Sequence, residues 1–124
     1  MRLVLPIPPS KNRSHRQTDE DGVLRRRKTA ETKRFVHDAG WLCLKWMRES
    51  GWRKPAPGNK VILRYWCYWP DERVRDAGNV VDALLDALNG IAYEDDRYAL
   101  PQAMDYAIDR RSPRIEIEFE RVAE

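Results

Sequence analysis

The hydrophobic positions of the chain first predict a long helix between Thr29 and Gly51. Seven apolar residues recur there at the three- and four-residue steps of a helix that buries one face. Thr29 is a residue type that caps helix N-termini, and Gly51 is one that ends helices. The predicted buried stripe consists of Phe35, Val36, Ala39, Leu42, Cys43, Trp46 and Met47.

The other apolar segments predict strands and one shorter helix. From Val61 to Trp69, β-branched and aromatic residues occupy alternate positions, and Pro70 ends the run. A second helix fits Asn79 to Leu88 and stops at Asn89-Gly90. Shorter strands are predicted at the proline-terminated opening near Leu3, from Met104 to Ile108 and from Arg114 to Glu120. This order predicts an α+β fold in which two main helices pack on a small mixed β-sheet.

Length and composition indicate one domain over residues 1–124. The chain is 35% charged and 42% hydrophobic, with a mean hydropathy of -0.76, and a chain this short has one core. No apolar run approaches the roughly 18 residues of a membrane span, so we expect a cytoplasmic protein without a membrane partner. Cys43 and Cys67 lack the spacing of a zinc site and are predicted to be core residues.

Charge is divided unevenly between the two halves of the chain. Residues 1–60 hold 15 Lys and Arg against 6 Asp and Glu, whereas residues 61–124 hold 8 against 14. A basic first half suits a polyphosphate ligand and an acidic second half suits a divalent cation. The alternative is that the two halves neutralise each other by surface ion pairs.

Acidic residues are concentrated between positions 71 and 96, where eight of them meet two arginines. In a helix, Asn79, Asp82 and Asp86 share one face, and the triplet at 94–96 returns after the Gly90 turn. Crowded carboxylates favour a bound Mg²⁺ or shared protons. The alternative is a solvated helix face followed by an exposed acidic turn.

Basic residues are concentrated between the first strand and the long helix. The segment carries a turn signal at Asp21-Gly22 and a basic run at positions 25–28. A hairpin and a mobile loop both fit this pattern.

Two segments of the chain resemble the RusA family of Holliday junction resolvases. Its signature region is similar to RDAGN at positions 75–79 and to ALLDALNGIAYEDD at positions 83–96. The opening LPIPPSKNR at positions 5–13 is similar to the N-terminal segment of that family. The resemblance spans nearly the whole chain.

This resemblance implies a homodimeric, Mg²⁺-dependent endonuclease that binds four-way DNA junctions and nicks two strands symmetrically in recombination and repair. The first aspartate of the family motif falls on Asp76, its asparagine on Asn79 and its final aspartate on Asp96, with Asp95 beside it. Asp76 and Asp96 would hold the metal, and Asn79 would orient a ligand or the phosphate. The basic residues expected to contact DNA phosphates are Lys11, Arg13, Arg16, Arg27, Lys28 and Arg75.

Two positions depart from the family pattern. Gly78 stands where the family usually has a second aspartate, and Asp82 stands where it usually has a lysine. If a helix begins near Ala77, positions 78 and 82 lie one turn apart, so Asp82 would supply the missing catalytic and metal-binding carboxylate. The alternative is a catalytically impaired module that binds branched DNA without cutting it. A small cytosolic protein with no nucleic-acid role would require the motif match to be accidental.

Overall fold

The computed structural model describes residues 1–9, 15–20, 23–73, 75 and 77–122, with backbone only at 15–20, 23–28 and 79. Two helices, six strands and two 3₁₀ turns lie in this part of the chain. The strands are β1 Leu3–Leu5, β2 His15–Glu20, β3 Val23–Lys28, β4 Val61–Trp69, β5 Ala99–Ile108 and β6 Arg114–Arg121. The helices are α1 Ala30–Ser50 and α2 Val81–Leu88, and the 3₁₀ turns are Ala77–Val80 and Asp96–Tyr98.

Four strands form one mixed sheet in the order β1-β6-β4-β5. β4 runs parallel to β5 and antiparallel to β6, and β1 pairs antiparallel with β6. The chain crosses from β4 to its parallel neighbour β5 through α2, the usual way to connect parallel strands. The predicted α+β fold with two main helices on a mixed sheet is confirmed.

β2 and β3 form a separate antiparallel hairpin. Its register places Arg16 opposite Arg27 and His15 opposite Lys28. Of the two arrangements that the basic segment allowed, the backbone adopts the hairpin.

Helix α1 begins and ends where its capping residues predict. The side chain of Thr29 accepts a hydrogen bond from the backbone N–H of Thr32, a cap worth about 1 kcal/mol. Gly51 ends the helix with φ 82°, a left-handed conformation that glycine adopts without strain. Neither α1 nor any other helix in the described part of the chain is long and apolar enough to cross a membrane.

The core lies between the two helices and one face of the sheet. Alternate residues of β4, from Val61 to Trp69, are buried there, as the alternating pattern predicts. Cys43 on α1 and Cys67 on β4 are fully buried, so the prediction that both are core residues is confirmed. Tyr93, which follows α2, is also fully buried.

The predictions differ from the structure at two elements. The second helix starts as a 3₁₀ turn at Ala77–Val80 and becomes α-helical only at Val81. The α-helix expected from Asn79 therefore begins two residues later, and an α-helical start near Ala77 is wrong, because the carbonyl of Ala77 is held by a hydrogen bond from Tyr65 in the sheet. β5 begins at Ala99, five residues before the predicted start, because pairing with β4 extends it through Pro101.

The sheet face away from the helices carries arginines stacked on aromatic rings. The guanidinium carbon of Arg2 lies 3.6 Å from the ring centroid of Trp66, and that of Arg114 lies 4.0 Å from that of Tyr68. These arginines and Arg64 make ion pairs of 2.7–3.2 Å with carboxylates. The carboxylate partners are Asp109, Glu116, Glu118 and Glu120. We call this set of ion pairs the arginine–carboxylate lattice.

Candidate active site

Three carboxylates of the acidic segment lie close enough to influence one another. Asp86 projects from α2, and Asp95 and Asp96 lie at the 3₁₀ turn that leads into β5. A hydrogen bond with Asp95 is the main cause that raises the pKa of Asp96, and the charges of Asp95 and Asp86 raise it further. We call Asp86, Asp95 and Asp96 the carboxylate cluster.

Asp95 has the opposite titration behaviour because it caps the 3₁₀ turn. Its side chain accepts a 3.1 Å hydrogen bond from the backbone N–H of Arg97. This bond is the main cause that lowers the pKa of Asp95. The two adjacent carboxyl groups therefore titrate as a pair, in which Asp95 is the stronger acid and Asp96 the weaker one.

Tyr93 lies beneath the cluster and joins its two segments. Its buried hydroxyl donates a 2.7 Å hydrogen bond to the backbone carbonyl of Leu85 in α2. Burial is the main cause that raises the pKa of Tyr93, and the charges of Asp96 and Asp86 contribute to it. The phenol therefore stays protonated and holds the segment before Asp95 against the helix that carries Asp86.

Two residues that follow α1 also hold the segment between α2 and Asp95. The indole N–H of Trp52 donates a 3.0 Å hydrogen bond to the carbonyl of Ala92. Glu94 makes a 2.9 Å ion pair with Lys54. The first acid of the triplet at 94–96 therefore points to a lysine outside the cluster, while the other two remain in it.

Asp71 and Arg75 organise the loop that follows β4. The guanidinium of Arg75 makes a 2.7 Å ion pair with the carboxylate of Asp71 and lies 5.3 Å from the ring centroid of Trp69. Asp71 also accepts a 3.0 Å hydrogen bond from the backbone N–H of Arg73. The Arg75 hydrogen bond is the main cause that lowers the pKa of Asp71, to about 2. The predicted phosphate contact of Arg75 stays a prediction, and in this structure its charge is already paired.

Some predicted site residues fall outside the described part of the chain. Asp76 does, and so does the side chain of Asn79. The basic residues Lys11 and Arg13 do as well, whereas Arg16, Arg27 and Lys28 are described by backbone alone, in the hairpin. Their predicted roles stay predictions.

The geometry at the start of α2 bears on the role predicted for Asp82, which stays a prediction. Asp82 is exposed in the first turn of α2, where a carboxylate also stabilises the positive end of the helix. Successive residues in a 3₁₀ turn are about 120° apart. Positions 78 and 82 therefore do not share one α-helical face. The hypothesis that Asp82 supplies the carboxylate missing at Gly78 assumed such a shared face. Asp86, one turn further along, is the α2 acid that influences Asp96.

The donor set suits a hard divalent cation. The charges of Asp95 and Asp86 raise the pKa of Asp96, a positive ion would relieve that repulsion, and Mg²⁺ prefers carboxylate oxygens as ligands. Within the described residues, no group of three or more His, Cys, Asp or Glu side chains is arranged to hold a metal ion. Asp86, Asp95 and Asp96 therefore supply carboxylate oxygens of the kind that Mg²⁺ prefers, but they do not form a metal site by themselves.

Sequence reasoning overlooked a basic face on α1. Its exposed residues over about 120° of the helix contain four cations, a histidine and two large apolar side chains, and Asp38 at its border lies 3.4 Å from the imidazole of His37. Trp41 is 61% exposed and Leu44 is 56% exposed. Its members are Lys33, Arg34, His37, Trp41, Leu44, Lys45 and Arg48. A signal for this face was present in the sequence, because these positions fall opposite the predicted buried stripe.

Comparison with known proteins agrees with the sequence motif. A search of curated protein sequences gave no match. The family model described as endodeoxyribonuclease RusA matches residues 6–120. This range includes both helices, β4, β5 and all of β6 but its last residue, and it begins just after β1. The chain therefore belongs to the RusA endodeoxyribonuclease family.

Proposed function

We propose that this protein is a Mg²⁺-dependent endonuclease that acts as a homodimer on four-way DNA junctions in the cytoplasm and nicks two strands symmetrically. The observation that carries the proposal is the position of Asp95 and Asp96 at the turn into β5, inside the segment that the family model matches and within reach of the charge of Asp86 on α2. A family of endodeoxyribonucleases supplies the reaction class, and the crowded carboxylates supply a reason for a cation at this place. The whole chain, residues 1–124, acts as one domain.

Asp76 and Asp96 hold the metal in this proposal, with Asp86 and Asp95 next to them. Bound Mg²⁺ supplies a more acidic water and stabilises the charge that develops on the phosphoryl oxygens. Asp95 stays ionised because of its bond from the Arg97 backbone N–H, so it is the member of the pair that accepts hydrogen bonds. Asn79 orients the phosphate or a neighbouring ligand.

DNA phosphates contact two basic surfaces. One is the hairpin with Arg16, Arg27 and Lys28, and the other is the basic face of α1, which follows the hairpin directly in the chain. Cations along a helix neutralise phosphates without reading bases. The exposed ring of Trp41 among them suits stacking on an unpaired base at a junction.

The decisive experiment incubates the full-length protein with a synthetic mobile four-way junction and Mg²⁺, with EDTA in the control reaction. We expect paired nicks at symmetric positions, and we expect Asp96→Asn to bind the junction but not cut it. Asp105→Asn, which removes an exposed carboxylate from β5, is the matched control and should cut normally. A protein that ignores branched DNA would refute the proposal.

A second candidate function is a junction-binding module that does not cut. Gly78 favours it, because this exposed position in the 3₁₀ turn carries no carboxylate. Such a module would shift the junction in a gel and leave it intact with Mg²⁺. If Gly78→Asp then created cutting, the module would be an impaired nuclease.

A further inference from the structure

The loop after β4 folds back over the face of the sheet that carries the helices. Trp69, the last residue of β4, is buried on that face. Further along the loop, the carbonyl of Ala77 accepts a 3.2 Å hydrogen bond from the hydroxyl of Tyr65, which is buried on the same face earlier in β4. The loop therefore brings Arg75 to the side of the sheet on which α2 and the carboxylate cluster lie.

The carboxylate of Asp71 holds the guanidinium of Arg75 inside this loop. Nη1 of Arg75 lies 2.7 Å from a carboxylate oxygen of Asp71 and 3.4 Å from its backbone carbonyl oxygen. The guanidinium carbon also lies 5.3 Å from the ring centroid of Trp69. The side chains of Arg75 and Asp71 are 24% and 37% exposed, so an approaching anion can reach the pair. The positive charge that we expect to contact a DNA phosphate thus already has a partner within the protein.

Asp71 has a second partner that allows it to release Arg75. Its carboxylate also accepts a 3.0 Å hydrogen bond from the backbone N–H of Arg73. Because this bond remains and the side chain is in contact with solvent, separation from Arg75 leaves no buried charge without a partner. The ring of Trp69 attracts the guanidinium from the other side and keeps it near its present position during an exchange of anions.

A phosphate is the anion that suits this exchange. The planar guanidinium binds carboxylate and phosphate oxygens with the same fork of donors, and it stays charged throughout. A phosphate of ordinary duplex DNA must compete with a carboxylate tethered four residues away, which has a high effective concentration. A phosphate that other contacts already hold beside Arg75 has a high effective concentration as well, so it can displace Asp71.

We propose that Asp71 is a specificity-determining residue, which withholds Arg75 from the phosphates of ordinary duplex DNA and yields it to a phosphate that other contacts hold at a junction. The junction part of this inference rests on the proposed function, in which the hairpin and the basic face of α1 supply those other contacts. The competition between Asp71 and a phosphate does not depend on it. Such a penalty improves specificity because it weakens binding to the wrong partner more than to the right one.

The first test compares the affinities of the full-length protein for a plain duplex and for a synthetic four-way junction, in EDTA so that nothing is cut. We expect Asp71→Asn to bind the duplex about fivefold more tightly, the effect of one exposed ion pair, and to prefer the junction less than wild type does. Glu72→Gln is the matched control, because it removes the neighbouring charge from a carboxylate that pairs with Arg110 at 3.4 Å. Duplex binding by Asp71→Asn that is no tighter than that of Glu72→Gln would overturn the proposal.

A second test uses salt to separate a new phosphate contact from a change in net charge or in folding. The slope of log affinity for the duplex against log salt should steepen by about 1 in Asp71→Asn, since Arg75 then meets one more phosphate. Asp71→Glu keeps the carboxylate and should retain the wild-type slope. In an Arg75→Gln background, Asp71→Asn should change the slope no more than Glu72→Gln does. A steeper slope that persists without Arg75, or no steepening with it, would contradict the proposal.

The two DNA substrates separate this inference from the proposed function. A wild-type protein that binds the junction no better than the duplex would count against the proposed function only, because the duplex comparison of Asp71→Asn with Glu72→Gln still decides whether Asp71 competes for Arg75. A wild-type protein that prefers the junction, together with equal duplex binding by these two variants, would refute the role of Asp71 and leave the proposed function intact.

Discussion

The hydroxyl of Tyr93 and the carbonyl of Leu85 are joined by a 2.7 Å hydrogen bond in the core. This bond spans the turn after α2 and ties the start of the acidic triplet to the helix that carries Asp86. It determines where Asp95 and Asp96 lie relative to α2, so Tyr93 is a positioning residue for the candidate active site.

Tyr93→Phe should lower stability and cleavage while sparing DNA binding. The change leaves the half-buried Leu85 carbonyl without its donor, which costs about 1–3 kcal/mol. We expect denaturant unfolding to report this loss and the cleavage rate to fall more than junction affinity. Tyr98→Phe, a half-buried tyrosine near the same turn, is the control; an equal loss of cleavage in both variants would argue against a positioning role.

Asp86→Asn should impair cleavage more than Asp82→Asn does. The charge of Asp86 raises the pKa of Asp96, so its removal should lower that pKa in an NMR titration without metal. We expect a loss of cleavage between about 10- and 100-fold, the range for groups that support metal ligands. If Asp82→Asn were the more harmful change, the carboxylate of Asp82 would belong in the site despite the 3₁₀ turn.

The Asp71–Arg75 pair should stabilise the protein above pH 4 and lose this effect in acid. The pKa of Asp71 falls from 3.8 to about 2 in the folded state, so folding favours the ionised form. Its contribution is complete above the unfolded value and disappears as the pH falls through about 2. The difference in unfolding free energy between wild type and Asp71→Asn should shrink over this range, and a constant difference would show that the pair has no linked titration.

Reversal of charge on the basic face of α1 should weaken junction binding. Lys45→Glu with Arg48→Glu removes two cations, so the slope of log affinity against log salt should fall by about 1 for each lost phosphate contact. Arg111→Glu, an exposed cation in the turn between β5 and β6, is the control. Binding that both variants weaken equally would indicate an effect of net charge alone.

Strong periodicity made α1 and β4 predictable. Both have apolar residues at one regular step over many positions, and α1 also has a capping threonine and a terminal glycine. The start of β5 was not predictable, because Ala, Pro and Gln at positions 99–103 have little strand preference. Pairing with β4, a tertiary effect, extends the strand there.

The candidate active site was predictable in composition and only partly in arrangement. The sequence places acids on both sides of the α2 turn, and the family match covers that region. It does not reveal that Asp86 influences Asp96 or that Glu94 pairs with Lys54, because these contacts depend on how the turn folds back. The 3₁₀ start of α2 was not predictable for the same reason. It depends on packing against the sheet, where the Ala77 carbonyl accepts a hydrogen bond from the hydroxyl of Tyr65.

The arginine–carboxylate lattice makes the two faces of the sheet electrostatically different. Each of its three arginines is paired with a carboxylate, and the set holds one more carboxylate than arginines, so the lattice would repel an approaching duplex. The basic face of α1 lies on the opposite side of the sheet. A long polyanion would therefore approach the side of the sheet that carries α1 before any specific contact forms. The carboxylate cluster lies on that same side.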